Sequence, residues 1–106
     1  MIRWVPAAAL LLLAVAPPAV ADWTKDQRTR FVDSCVEGCQ STPNLSDKAR
    51  AACPKACACL ADQGEKMMTP ADFDEADKAA AEEKMTPKME ALAKYFPTCT
   101  KQSLGQ

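Results

Sequence analysis

Residues 35–59 read CVEGCQSTPNLSDKARAACPKACAC and hold five of the six cysteines of the chain. The spacing is C-x3-C, a gap of 13 residues, C-x3-C, and a fifth cysteine two positions on. Residues four apart on a helix lie on one face, one turn above the other, so Cys35 and Cys39 form one ladder and Cys53 and Cys57 a second. In an antiparallel pair of helices, facing residues have position numbers with a constant sum. Cys35 with Cys57 and Cys39 with Cys53 share one sum, so this nested pairing fits a single register. The crossed pairing would need a shift of about a turn each way. The stretch therefore predicts a helical hairpin stapled by two disulfides. Cys59 lies roughly 200° around an ideal helix from Cys57 and points away from the other arm. Its remaining partner is Cys99, a bond that ties the C-terminal region back to the hairpin.

On the N-terminal side, Thr24 and Gln27 form a T-x-x-Q capping box, which satisfies two free amide donors at a helix start. Trp23, just before it, is placed to staple against the aliphatic stem of Arg28. Phe31, Val32, Cys35, Val36 and Cys39 then follow the three- and four-residue spacing of one helical face, giving a first helix over about 25–40. Ser41-Thr42-Pro43-Asn44 is turn chemistry, with Asn44 tolerant of left-handed backbone. Asn44-Leu45-Ser46 also matches a glycosylation acceptor, a match left idle by the bacterial look of the N-terminus. Ser46 is a good N-cap and Asp47 suits the positive end of the helix dipole, so a second helix is expected over about 47–66. Pro54 lies inside it, without an amide hydrogen and in conflict with the carbonyl of Arg50. The helix kinks there or restarts with Pro54 in its first turn. Gly64 reads as a fray point near its end.

Two M-T-P tripeptides, Met68-Thr69-Pro70 and Met85-Thr86-Pro87, each place threonine as N-cap and proline in the first turn. They predict helices over about 70–84 and 87–96, with Phe73, Ala76 and Ala80 buried on the first and Pro97 ending the second. No segment alternates with period two, so no strand is expected. The fold class is all-α: a disulfide-stapled antiparallel hairpin plus two shorter C-terminal helices.

Residues 1–21 carry one early charge, Arg3, an apolar run to Ala16, and Ala19-Val20-Ala21 before Asp22, the pattern of a secretory signal peptide. The run is too short for a bilayer, and Pro6, Pro17 and Pro18 interrupt it. The domain division is thus a signal peptide at 1–21, a stapled helical domain at 22–100 and a disordered tail at 101–106, with no membrane span after cleavage. An even cysteine count in a short exported chain reads as a disulfide framework, which places the protein in the periplasm or outside the cell. A chain this size has few large apolar anchors, and staples compensate.

The whole sequence carries 13 basic and 14 acidic side chains; without Arg3 the balance is 12 to 14. That surface argues against nucleic acid or an anionic membrane as partner, because both require a basic footprint.

The twin C-x3-C segments resemble the hairpin pattern of plant alpha-hairpinin peptides and of the small Tim chaperones of the mitochondrial intermembrane space, over Cys35 to Cys57. The resemblance implies the same nested pairing. Trp23, Phe31-Val32, Cys35, Cys57-Ala58-Cys59-Leu60, Asp72-Phe73 and Cys99 are also similar to a class of small exported bacterial helical proteins that carries no settled activity to transfer. That class typically lacks counterparts of Cys39 and Cys53.

Cys57 and Cys59 with Met67, Met68, Met85 and Met89 could hold Cu(I), which prefers soft sulfur. The competing reading makes the cysteines structural and the methionines core filler. The absence of histidine removes the commonest metal ligand, and with it the base that a serine or cysteine nucleophile needs. A thiol oxidoreductase requires C-x-x-C at a helix start on a strand-containing scaffold. Asp72-Phe73-Asp74-Glu75-Ala76-Asp77 fails the calcium-loop pattern, lacking its glycine. The sequence therefore points to a non-enzymatic binding or structural module with a protein partner and no cofactor, and the alternative is a periplasmic Cys/Met copper-binding protein. Its candidate contacts are Trp23, Phe31, Leu60, Phe73 and Phe96, each equally suited to the core.

Overall fold

The computed structural model describes residues 22–105, so the signal-peptide reading of 1–21 lies outside the described residues. These form five helices and no strand: α1 Lys25–Gln40, α2 Asp47–Met67, α3 Pro70–Ala81, α4 Pro87–Ala93 and α5 Phe96–Ser103. The protein is all-α with a stapled hairpin, as the cysteine spacing requires.

The longest helix, α2, is the central one, packed by α1 on one side and α5 on the other. Its buried residues are Cys53, Ala56, Cys57, Leu60, Ala61 and Gly64, a stripe at spacings of three and four. Small side chains on that stripe let neighbouring helices approach closely. Cys35–Cys57 and Cys39–Cys53 join α1 to α2 with Cα atoms 5.8 and 5.9 Å apart. Cys59–Cys99, with Cα atoms 5.6 Å apart, joins α2 to α5. Both faces of α2 are thus covalently held.

Pro54 neither breaks nor restarts α2, which is helical from end to end. The carbonyl that Pro54 leaves without its amide donor is that of Arg50. Gln40 Nε2 from the end of α1 donates to it at 3.4 Å. In return the Arg50 guanidinium donates to the Gln40 carbonyl and to that of Leu45. Around the turn, Asn44 takes the left-handed φ of 61°.

The threonine caps form as the M-T-P repeats predict. Thr69 accepts from the Asp72 amide, Thr86 accepts from the Met89 amide, and proline occupies the first turn of both α3 and α4. Three boundaries differ from the sequence reading. Helix α3 stops at Ala81, where Glu83 turns left-handed at φ 59° while the amides of Glu83 and Lys84 reach back to the carbonyls of Ala80 and Ala79. This is the Schellman arrangement, which satisfies the last carbonyls. Ala80, expected in the core, is exposed, and Ala76 is the deeper residue. Helix α4 ends at Ala93, and Pro97 opens α5 instead of closing α4, because a first-turn residue needs no amide donor. Residues 101–103, expected to be disordered, are the last turn of α5. Cys99 anchors that helix, and the Ser103 hydroxyl donates to its carbonyl at 2.7 Å.

Trp23, Leu60, Ala61, Met68, Phe73, Ala76, Leu92 and Cys99 make the core. Trp23 sits at its centre. Its ring meets Phe31 and Phe73 edge-on, with centroids 5.2 and 4.8 Å away, and its Nε1 donates to the Met68 carbonyl at 3.1 Å. The ring expected on the stem of Arg28 packs on Phe31 and Phe73. Arg28 instead reaches α2, pairing with Asp62 and Glu65, while Glu65 also accepts from the Trp23 amide. The indole turns inward because it buries far more apolar area there than on an arginine stem.

Candidate functional site

The cysteines carry the sharpest chemical alternative. All six are paired, in the nested arrangement plus Cys59–Cys99, and none is free. A thiolate pair at Cys57 and Cys59 is therefore not present in this state, and the two side chains serve different bonds. Met68 is buried in the core, Met67 and Met89 pack against it half-buried, and Met85 is 53% exposed in the loop between α3 and α4. Among the described residues, no group of three or more cysteine, aspartate or glutamate side chains is placed to hold a metal ion. The carboxylates of 72–77 have other duties. Asp72 caps its own helix, Asp74 accepts from Gln27, and Asp77 pairs with Arg30.

Of the candidate contact residues, Trp23, Leu60 and Phe73 are buried, while Phe31 and Phe96 are half-buried. Those last two mark separate surface depressions. Phe96 lines a narrow one of about 150 Å³ between the hairpin turn and α5, with Leu45, Ala49, Ala52 and Leu104. Phe31 lines a larger cleft of about 380 Å³ between α1 and α3, with Phe73, Ala76, Ala80 and Met89.

Beside the cleft, α1 is joined to α3 by polar side chains. Gln27, the only buried polar residue of α1, does the joining. Its Oε1 accepts from the Thr24 amide, and its Nε2 donates to the Pro70 carbonyl and to Asp74 Oδ1, each at 3.0 Å. Every strong polar atom of the amide is thereby satisfied inside the protein. One turn further along, Arg30 bridges from α1 to Asp77 at 2.7 Å, holds Asp26 at 3.2 Å, and lies with Cζ 5.7 Å from the Phe73 ring centroid. This guanidinium is flanked by two carboxylates, and hydrogen bonding to Asp77 pushes its pKa up. Beyond it the apolar face of α1 stays half-covered.

Sequence reasoning identified Gln27 as a cap but not as the link to α3; it passed over Arg30 and met Asp77 only in the failed calcium-loop pattern. The i, i+4 pair Asp26 and Arg30 was visible; the reach from Arg30 to Asp77 across 47 positions was not. Among the described residues, no helix is long and apolar enough to cross a membrane. Comparison with protein-family models, curated proteins and solved structures gives no match to this chain, so the fold and the cleft must carry the functional reading.

Proposed function

We propose that this protein is a small non-enzymatic binding module of an oxidising compartment, periplasmic or secreted, and that it acts by presenting a rigid face to a protein partner. One observation carries the reading: the half-open apolar cleft between α1 and α3 sits beside a hairpin clamped by two disulfides. A clamped surface has little conformational freedom left to lose on association, which favours binding. Three intramolecular disulfides in so small a chain are typical of oxidising environments and support the compartment.

The test is site-specific photo-crosslinking in the native envelope or secreted fraction. With a photo-reactive amino acid at exposed Ser34, on the cleft wall, one discrete protein adduct is expected; at exposed Lys55, on the other arm, none is expected. Absence of any adduct at Ser34, or identical adducts at both positions, overturns the assignment of this face.

A further inference from the structure

The cleft has a chemical polarity that its floor alone does not convey. The floor is apolar, formed by Phe31, Phe73, Ala76 and Met89. Its walls are acidic. Arg30, the one basic residue lining it, is engaged by both Asp26 and Asp77 and adds no net positive charge. Asp33, three residues along α1 from Arg30, is exposed, and among the described residues no basic side chain pairs with it or with Glu37. Glu37 lies one turn beyond Asp33 on the same side of α1, since residues four apart stack on a helix. Asp33 and Asp77 line the cleft against the single guanidinium, and Asp26 and Glu37 flank it on α1.

We infer that the cleft takes a cationic amphipathic segment of a protein partner, one apolar side chain seated over Phe73 and Ala76, with lysine or arginine side chains set against Asp33 and Glu37. The inference rests on the binding-module reading and adds the chemistry of the partner to it. Anionic segments are excluded by the same wall, because like charges brought together disfavour the wrong partner. Arg30 has a positioning role here. Its bridge to Asp77 fixes the width of the cleft end and shields one side of the Phe73 ring.

Fluorescence anisotropy with labelled 12-residue peptides tests the inference. One probe places leucine and lysine at helical spacing, and its counterpart carries glutamate for lysine. The lysine peptide is expected to bind and to weaken as salt rises, and the glutamate peptide is expected not to bind. Asp33→Lys, at an exposed position, should weaken the lysine peptide about fivefold or more, the effect of reversing one partly exposed charge. Ala80→Phe, which fills the cleft from an exposed position, should weaken it more than about tenfold by displacing the apolar anchor. Glu82→Lys, exposed beyond the end of α3, should leave affinity within about twofold. Disulfide content and helicity must match wild type in each variant. Equal binding of both peptides, no binding of the lysine peptide, or indifference to both cleft variants overturns the inference. In those cases a surviving crosslink at Ser34 leaves the binding-module reading standing, whereas loss of that crosslink removes both.

Discussion

A Cβ on Gly64 would run into Cη2 of Trp23 and lie 2.7 Å from its Cζ2, so the indole occupies the space that any other residue at 64 would claim. The ring cannot retreat, because Phe31 and Phe73 close on it edge-on and its Nε1 is tied to the Met68 carbonyl. Gly64 is a buried helical residue and the seat of the central aromatic, not a fray point.

Gly64→Ala should accordingly destabilise the protein by about 1–3 kcal/mol, the usual range for overpacking a core. At an exposed helical position the same change would stabilise by about 1 kcal/mol. Urea denaturation followed by Trp23 fluorescence distinguishes the two, and a more stable variant would show that the indole is not seated on Gly64.

Glu83 holds a left-handed φ of 59° at the end of α3, a conformation that costs an L-residue roughly 1–2 kcal/mol and glycine almost nothing. Part of that gain is returned through the greater freedom of glycine in the unfolded chain. Glu83→Gly is expected to stabilise by about 0.5–1 kcal/mol, raising Tm by a few degrees for a domain of this size. A drop in Tm would mean that the Glu83 side chain makes a contribution this backbone argument omits.

Asp72 sets an acid limb. Lys88 Nζ lies 2.8 Å from its Oδ2 and the Thr69 amide donates to the same oxygen, and together they lower the carboxyl from 3.8 to about 2. A carboxylate whose pKa is lower in the folded state stabilises the fold above its unfolded value, and that contribution is lost as pH falls through the folded one. Stability from Asp72 is therefore complete above the ordinary carboxylate range and disappears between about pH 3.8 and pH 2. Asp72→Asn should flatten the pH dependence in that window and leave its shape near neutrality unchanged. An unaltered acid limb would contradict the pairing with Lys88.

Cys59–Cys99 closes a separation of 40 residues, against 14 for Cys39–Cys53. On the chain-entropy model these are worth up to about 4 and about 3 kcal/mol. A Cys59→Ala, Cys99→Ala double variant should loosen α4 and α5 selectively. Limited proteolysis is expected to cut after Lys94 or Lys101 while the α1–α2 hairpin stays resistant. Uniform loss of protection across both would indicate that the hairpin depends on this bond as well.

The hairpin was legible because cysteine spacing on two helices encodes register directly, and the caps were legible because threonine followed by proline acts within one turn. Gly64 and Pro54 were not, since each has a local penalty that only distant groups resolve: the Trp23 ring for one, and the Gln40 amide donating to the Arg50 carbonyl for the other. Pro97 permits two local outcomes, ending a helix or opening one, and the packing of α5 on α2 selects the second. The cleft was the least visible feature. It depends on Gln27 and Arg30 reaching α3 from more than 40 positions away, which no periodicity reports.

On the proposed reading the sulfurs are staples and the function lies on the surface they make rigid. Peptide mapping of the unreduced natively produced protein, combined with a free-thiol count and copper titration, tests it most directly. The expected result is Cys35–Cys57, Cys39–Cys53 and Cys59–Cys99 fragments, no alkylatable thiol and no copper uptake. Free thiols at Cys57 and Cys59 that take up copper, or a Cys53–Cys59 or Cys35–Cys99 fragment, would contradict it.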